Sequence, residues 1–229
     1  RLCPTCPGGA CIPLCSPLIP RHSPCIVHDA HFPGRARDQG EVKGYFVALD
    51  ALDSWADQQR RVTQELVQEL HALVMGKGSI NVTPTAYRAG QNVIREAATG
   101  AIVYLPPEAA DVPQLMEQLC AWTEQSTLAF PLVAAILHYQ FATIHPYFDG
   151  NGRTARLLTT FFLHRSGFGL KGLYNIEEYY ARNLTEYYKA LQVGPSHNYY
   201  VGRAEADISD WVRYFIRGMA ESFEKIVLH

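Results

Sequence analysis

No stretch of this 229-residue chain has the run of about 20 apolar residues needed to span a bilayer, so none of it is expected to cross a membrane as a helix. The first residues do not run charged-then-apolar as a secretory signal does, so the expectation is a cytoplasmic protein. Charge of one sign is also missing. Twenty Lys and Arg stand against 22 Asp and Glu, a net charge of −2, and no basic field advertises a nucleic-acid partner. Beyond residue 25 cysteine is almost absent. Cys120 stands alone inside a helical pattern, where it reads as a small buried apolar residue. The length suits one domain with an appendage and is ample for a real core.

The appendage is residues 1–37. It holds the other five cysteines, Cys3, Cys6, Cys11, Cys15 and Cys25, many prolines, and no helical or strand period. The pairs Cys3–Cys6 and Cys11–Cys15, with His22, His28 and His31 nearby, invite a zinc reading. Only four residues separate the two pairs, little room for the turn that brings such pairs together. The competing reading is a disordered or non-native extension that should not be forced into a fold.

From about residue 40 the pattern is helical. Val42, Tyr45, Phe46, Leu49 and Leu52 repeat at helical spacing, as do Val62, Leu66, Leu70 and Leu73, with Gly76 and Gly78 ending the second run. Asp111 and Pro113 signal a helix start before Leu115, Met116, Leu119 and Trp122. Pro131 opens an apolar helix over Leu132–Ile144, and a further helix runs from the 150s to about Ser166-Gly167. One helix is predicted over Glu177–Leu191, and a last one from about Asp207. Two β-prone runs, Asn92–Ile94 and Ala101–Leu105, flank Thr99-Gly100 and predict a hairpin. The expected class is all-α, a helical bundle with a β-hairpin, centred on the apolar helix before residue 145 and the helix after it.

Between those two helices lies His145-Pro-Tyr-Phe-Asp-Gly-Asn-Gly-Arg-Thr-Ala-Arg156. Gly150-Asn151-Gly152 can take backbone shapes closed to bulkier residues, just where a helix begins. Free N–H groups at a helix start form an anion site. Arg153 and Arg156, three apart, share a helix face and can grip one phosphate chain. Asp149 is a hard oxygen ligand suited to Mg²⁺, and His145 can serve as a general base near neutral pH. Each part alone is common, and their conjunction in this order is rare.

The segment resembles the signature of the Fic family: His-Pro-Phe, any residue, Asp or Glu, Gly-Asn-Gly-Arg, two residues, Arg. Every position matches except Tyr147, which stands where Phe is usual and brings a hydroxyl that needs a partner. The resemblance extends over about residues 40–225 and takes in Tyr87-Arg88, Ile102–Pro107 and Glu186–Leu191. It implies a Fic-fold domain over residues 38–229, with the hairpin as a flap. A target protein would dock at the flap, around residues 87–107, by strand pairing.

The resemblance also implies the activity: transfer of AMP from ATP to a Ser, Thr or Tyr hydroxyl of a target protein, with pyrophosphate leaving. His145 is then the catalytic base. Asp149 is the Mg²⁺ ligand, and Asp149, Gly150, Asn151, Gly152, Arg153 and Arg156 bind the nucleotide. Tyr187 and Tyr188 match a family pair at the nucleotide pocket, though plain core aromatics would look the same. Removal of AMP, transfer of another phosphate-containing group, and a non-catalytic nucleotide-binding module remain as alternatives. A metal hydrolase is disfavoured, because no second His or carboxylate follows His145 and Asp149 at ligand spacing. A homodimer stays open.

Many family members carry an inhibitory helix whose Glu, followed by Gly or Asn, pairs with the second arginine. No Glu in this chain is followed by Gly or Asn. The expectation is therefore an Arg156 with no carboxylate from its own chain, and a domain that is not self-inhibited unless a separate partner supplies one.

Overall fold

The structure, a computed structural model, describes residues 36–95, 99–169, 176–194 and 197–227. The cysteine cluster and its zinc reading lie outside the described residues. The chain forms a helical bundle with one small hairpin, as the periodicities predict.

Helix α1 (Ala36–Asp57) turns Val42, Tyr45, Ala48, Leu52 and Trp55 inward. Helix α2 (Gln64–Met75) starts at Thr63, whose hydroxyl accepts the Leu66 N–H at 3.2 Å. The two helices pack together at Gly44, where a Cβ would come within 2.4 Å of the Val74 carbonyl, so only glycine allows that approach. Strands β1 (Ile94–Arg95) and β2 (Ile102–Tyr104) pair antiparallel, shorter than their β-prone runs, and a register irregularity between Ile94 and Arg95 limits the ladder. On the far side of β2, Leu105 bridges to Asn198.

Helix α3 (Val112–Gln125) has Pro113 in its first turn and carries Cys120, buried as expected. Helix α4 (Phe130–Ile144) is buried on nearly all sides, which explains its almost uninterrupted apolar sequence. It packs against α5 (Asn151–Leu163), in which all but one residue is buried. These two helices form the centre. α5 ends at Leu163 and a wide turn over His164–Phe168 follows, with Gly167 at φ 87°.

The predicted helix over Glu177–Leu191 is two helices, α6 (Ile176–Arg182) and α7 (Leu184–Leu191). The break is Asn183, which leaves helical geometry at φ −118° and ψ 38°, while its side-chain amide and its backbone N–H both bond to the Tyr179 carbonyl, at 3.0 and 3.1 Å. Helix α8 (Ser209–Val227) closes the bundle through Trp211, fully buried, whose indole N–H reaches the Ala135 carbonyl of α4 at 2.7 Å. Among the described residues no helix is long and apolar enough to cross a membrane.

Candidate active site

Helix α4 stops because His145 adopts the left-handed conformation, φ 53° and ψ 59°, as its C-cap. Few non-glycine residues sit there. The turn throws the imidazole back over the last helical turn, where Nδ1–H donates to the Ala142 carbonyl at 3.2 Å. A carbonyl can only accept, so the proton sits on Nδ1 and Nε2 keeps its lone pair. Burial, aided by the Arg88 charge, lowers the His145 pKa to about 4, so the ring is neutral at physiological pH.

The loop to α5 is held from several sides. The Asn151 side chain closes a ring with the Tyr147 backbone, accepting its N–H at 2.9 Å and donating to its carbonyl at 2.7 Å. Asn151 thus shapes the loop with its side chain. The Tyr147 ring stacks on His71, centroids 3.6 Å apart, in the bed where the usual Phe would lie. Its hydroxyl is buried without a hydrogen-bond partner among the described residues. His71 in turn holds the Asp149 carbonyl through Nε2 at 3.0 Å. Since a carbonyl accepts, that nitrogen carries the proton, and burial lowers the His71 pKa.

Gly150 caps α5 at φ 77°, and a Cβ there would come within 2.8 Å of the Met75 sulfur and 3.1 Å of the His71 ring. Its N–H is given to the Asp149 carboxylate at 2.6 Å. The first N–H bonded within the helix is that of Thr154, to the Gly150 carbonyl at 2.9 Å. The N–H groups of Asn151, Gly152 and Arg153 therefore precede the helical ladder and form the anion cradle. Asp149 sits at its rim with 53% of its side chain exposed.

Arg153 lies beside Asp149 at 3.5 Å and Glu41 of α1 at 3.4 Å. Arg156 corrects an expectation. Its own chain does supply a carboxylate: Nε donates to Glu177 of α6 at 2.9 Å, with both side chains more than nine-tenths buried. The sequence test sought a Glu before Gly or Asn, and Glu177 lies 21 residues on, before another Glu. One signal was readable, since Glu177 falls on the same face as Ile176, Tyr179 and Tyr180. Nη1 of Arg156 lies 3.5 Å from where a Cβ on Gly152 would stand.

A hydrogen-bond chain fixes this arginine. The Thr159 hydroxyl donates to the Ala155 carbonyl at 2.7 Å and so accepts from Nδ1 of His138 at 3.2 Å. Nε2 of His138 then accepts from the Tyr187 hydroxyl at 3.0 Å, leaving the Tyr187 oxygen to accept from Arg156. Burial, with the Arg156 charge beside it, lowers the His138 pKa to about 3 and keeps it neutral.

Tyr187 and Tyr188, His145, Asn151 and Gly152 all border one cavity of about 390 Å³, roofed by Ile94, Val103 and Tyr104 of the hairpin. Tyr187 is buried and Tyr188 is 56% exposed. The cavity is large enough for a small ligand. His71, Glu177 and His138 were not singled out by the sequence, because each reaches the site across the bundle. Among the described residues no cluster of three or more His, Cys, Asp or Glu could hold a metal ion without help from a ligand.

The Fic/DOC family model matches residues 61–163, which contain α2, the hairpin, α3, α4, the loop and α5. The protein adenylyltransferase Fic of Drosophila grimshawi is 32% identical over 139 residues, covering 59% of this chain and 27% of that relative. The same-named protein of Drosophila ananassae is 32% identical over 139 residues, covering 59% and 26%. The chain thus spans about a quarter of the length of these curated relatives. A Fic family protein from Desulfovibrio desulfuricans superposes with a TM-score of 0.70 and 25% identity, over 89% of this chain and 57% of that one. A Fic domain containing signaling protein from Bacteroides thetaiotaomicron gives 0.64 and 25%, over 86% and 76%. Motif, fold and relatives agree: residues 61–163 match the Fic/DOC family, and the chain is similar in sequence and fold to Fic proteins.

Proposed function

We propose that this domain transfers AMP from ATP to a hydroxyl of a target protein. The observation that carries the reading is one cavity holding a neutral imidazole with an open Nε2 beside a helix-start anion cradle. Relatives named protein adenylyltransferase supply the chemical class.

The triphosphate lies over the N–H groups of Asn151, Gly152 and Arg153, with the nucleoside in the cavity against Tyr187 and Tyr188. The target hydroxyl enters beneath the flap. Its oxygen attacks the α-phosphorus while its proton passes to Nε2 of His145. The bond from the α-phosphorus to the bridging oxygen breaks, and pyrophosphate leaves toward Arg153 and Arg156. Such chemistry is mostly positioning and electrostatics, which suits a site of fixed donors. Asp149 fits a Mg²⁺ that binds through one carboxylate plus phosphates, being half-exposed at the rim of the cradle. When bound, the ion would neutralise phosphate charge.

The target docks at the hairpin, as a third strand beside β1. The opposite side of the β2 strand's end is taken by the 197–199 segment, where the Leu105 N–H donates to the His197 carbonyl at 2.7 Å and the Leu105 carbonyl accepts the Tyr199 N–H at 3.0 Å.

Incubation with ATP labelled at the α- or γ-phosphate tests the reading. Retention of α- but not γ-label on protein supports it. Retention of γ-label means phosphoryl transfer, loss of AMP from a pre-modified protein means the reverse reaction, and tight ATP binding without label in a native lysate means a binding module.

A further inference from the structure

The roof of the cavity and the base beneath it are joined by one side chain. Arg88 is 4% exposed, and among the described residues no carboxylate pairs with it. Its guanidinium instead spans three backbone carbonyls: Nε donates to His145 at 3.0 Å, Nη1 to Gly90 at 3.0 Å and Nη2 to Pro107 at 2.5 Å. Its own N–H donates to the Pro146 carbonyl at 2.9 Å. Gly90 and Pro107 are the two roots of the hairpin. His145 O lies past the end of α4, where no helical N–H can reach it.

We propose that Arg88 is a positioning residue that locks the left-handed backbone of His145 to both roots of the flap, so that flap position and base alignment are coupled. The inference rests on the AMP-transfer reading for its kinetic consequence but not for its geometry. Burying a guanidinium against carbonyls alone costs desolvation that an ion pair would offset, so its placement requires good geometry at every acceptor. The rigid fork of arginine reaches three acceptors spread around it from three nitrogens, whereas the three donors of a lysine ammonium all radiate from one. Two further flap bonds run alongside: the Tyr104 hydroxyl donates to Thr143 O at 2.8 Å, and the Asn92 amide to Tyr147 O at 3.1 Å. The carbonyls of residues 143, 145, 146 and 147 are thereby tied to the flap, and among the described residues Arg88 alone ties His145 to both of its ends. A target strand that shifts the hairpin then acts on the same guanidinium that fixes the base.

Arg88→Lys is the test, with Arg88→Gln as a second variant should lysine not fold. Below the melting temperature of each variant, kcat for labelled AMP transfer should fall by roughly 10–100-fold, since a displacement of about 1 Å can cost that much. The Kd for a non-hydrolysable ATP analogue should change less than about threefold, because Arg88 touches neither the cradle nor the arginines. A Leu119→Ala control in α3, matched for loss of melting temperature, should keep kcat. Hydrogen exchange gives a readout that does not need activity: amides of residues 101–105 and 144–148 should speed up together in Arg88→Lys, while those of α8 stay protected. If wild-type protein transfers no AMP, the functional reading fails and the exchange result decides the coupling by itself. Wild-type kcat in Arg88→Lys, or faster exchange in the flap without change at 144–148, overturns the proposal.

Discussion

Replacing Glu177 with alanine probes the pair that the sequence did not foretell. Arg156 stays charged at any accessible pH, so the variant leaves a guanidinium that is 91% buried on its side chain without its nearest carboxylate. Breaking one side of a buried ion pair costs about 3–5 kcal/mol. For a domain of this size each 1 kcal/mol moves the melting temperature by roughly 2–4 °C, so a fall of about 6–20 °C is expected by calorimetry or circular dichroism. The double change Glu177→Leu with Arg156→Met should recover much of that loss, because a well-packed apolar pair is often as stable as a buried ion pair. Glu177→Gln keeps an acceptor for Nε and should cost less. Glu177 faces Nε while Nη1 lies near Gly152, so the carboxylate holds the arginine from behind the phosphate site. AMP transfer by Glu177→Gln should therefore drop. Increased transfer in Glu177→Gln, with a melting temperature within 2 °C of wild type in Glu177→Ala, would refute this and make Glu177 an inhibitory carboxylate.

Four other perturbations have expected outcomes. His145→Ala should reduce transfer by about 10²–10⁴-fold with nucleotide binding kept, measured by labelled-ATP turnover and titration calorimetry. The base works in its neutral form and its pKa is lowered to about 4, so the acid limb of the pH–rate profile should lie near 4; a limb near 6.5 would contradict the burial effect. Stability should follow the buried His138. Its pKa is lowered to about 3 on folding, so its contribution is full above about 6.5 and is lost as pH falls toward 3, at a slope near 1.4 kcal/mol per pH unit. Urea titrations of wild type and His138→Gln between pH 7 and 4 would show the difference. Tyr147→Phe keeps the stack on His71 and removes a hydroxyl with no partner among the described residues, so it should raise stability by about 1–3 kcal/mol; a lower melting temperature would mean the hydroxyl is bonded.

What the sequence determined by itself is what is local. The residues from His145 to Arg156 form one continuous segment, a turn from His145 to Gly150 and the first residues of α5, so their order alone brought base, carboxylate, cradle and arginines together. The apolar periods set the helices, and the β-prone runs set the hairpin. The sequence placed a helix over Glu177–Leu191 but not its break, because the apolar period runs on through Asn183, which only the backbone shows leaving helical geometry, at φ −118° and ψ 38°. The tertiary structure decided what holds the site in place. His71 reaches Asp149 across 78 residues, Arg88 reaches His145 across 57, and Glu177 reaches Arg156 across 21. No spacing rule encodes such pairs, since which buried polar group meets which is settled only when the helices pack and every desolvated donor must find an acceptor.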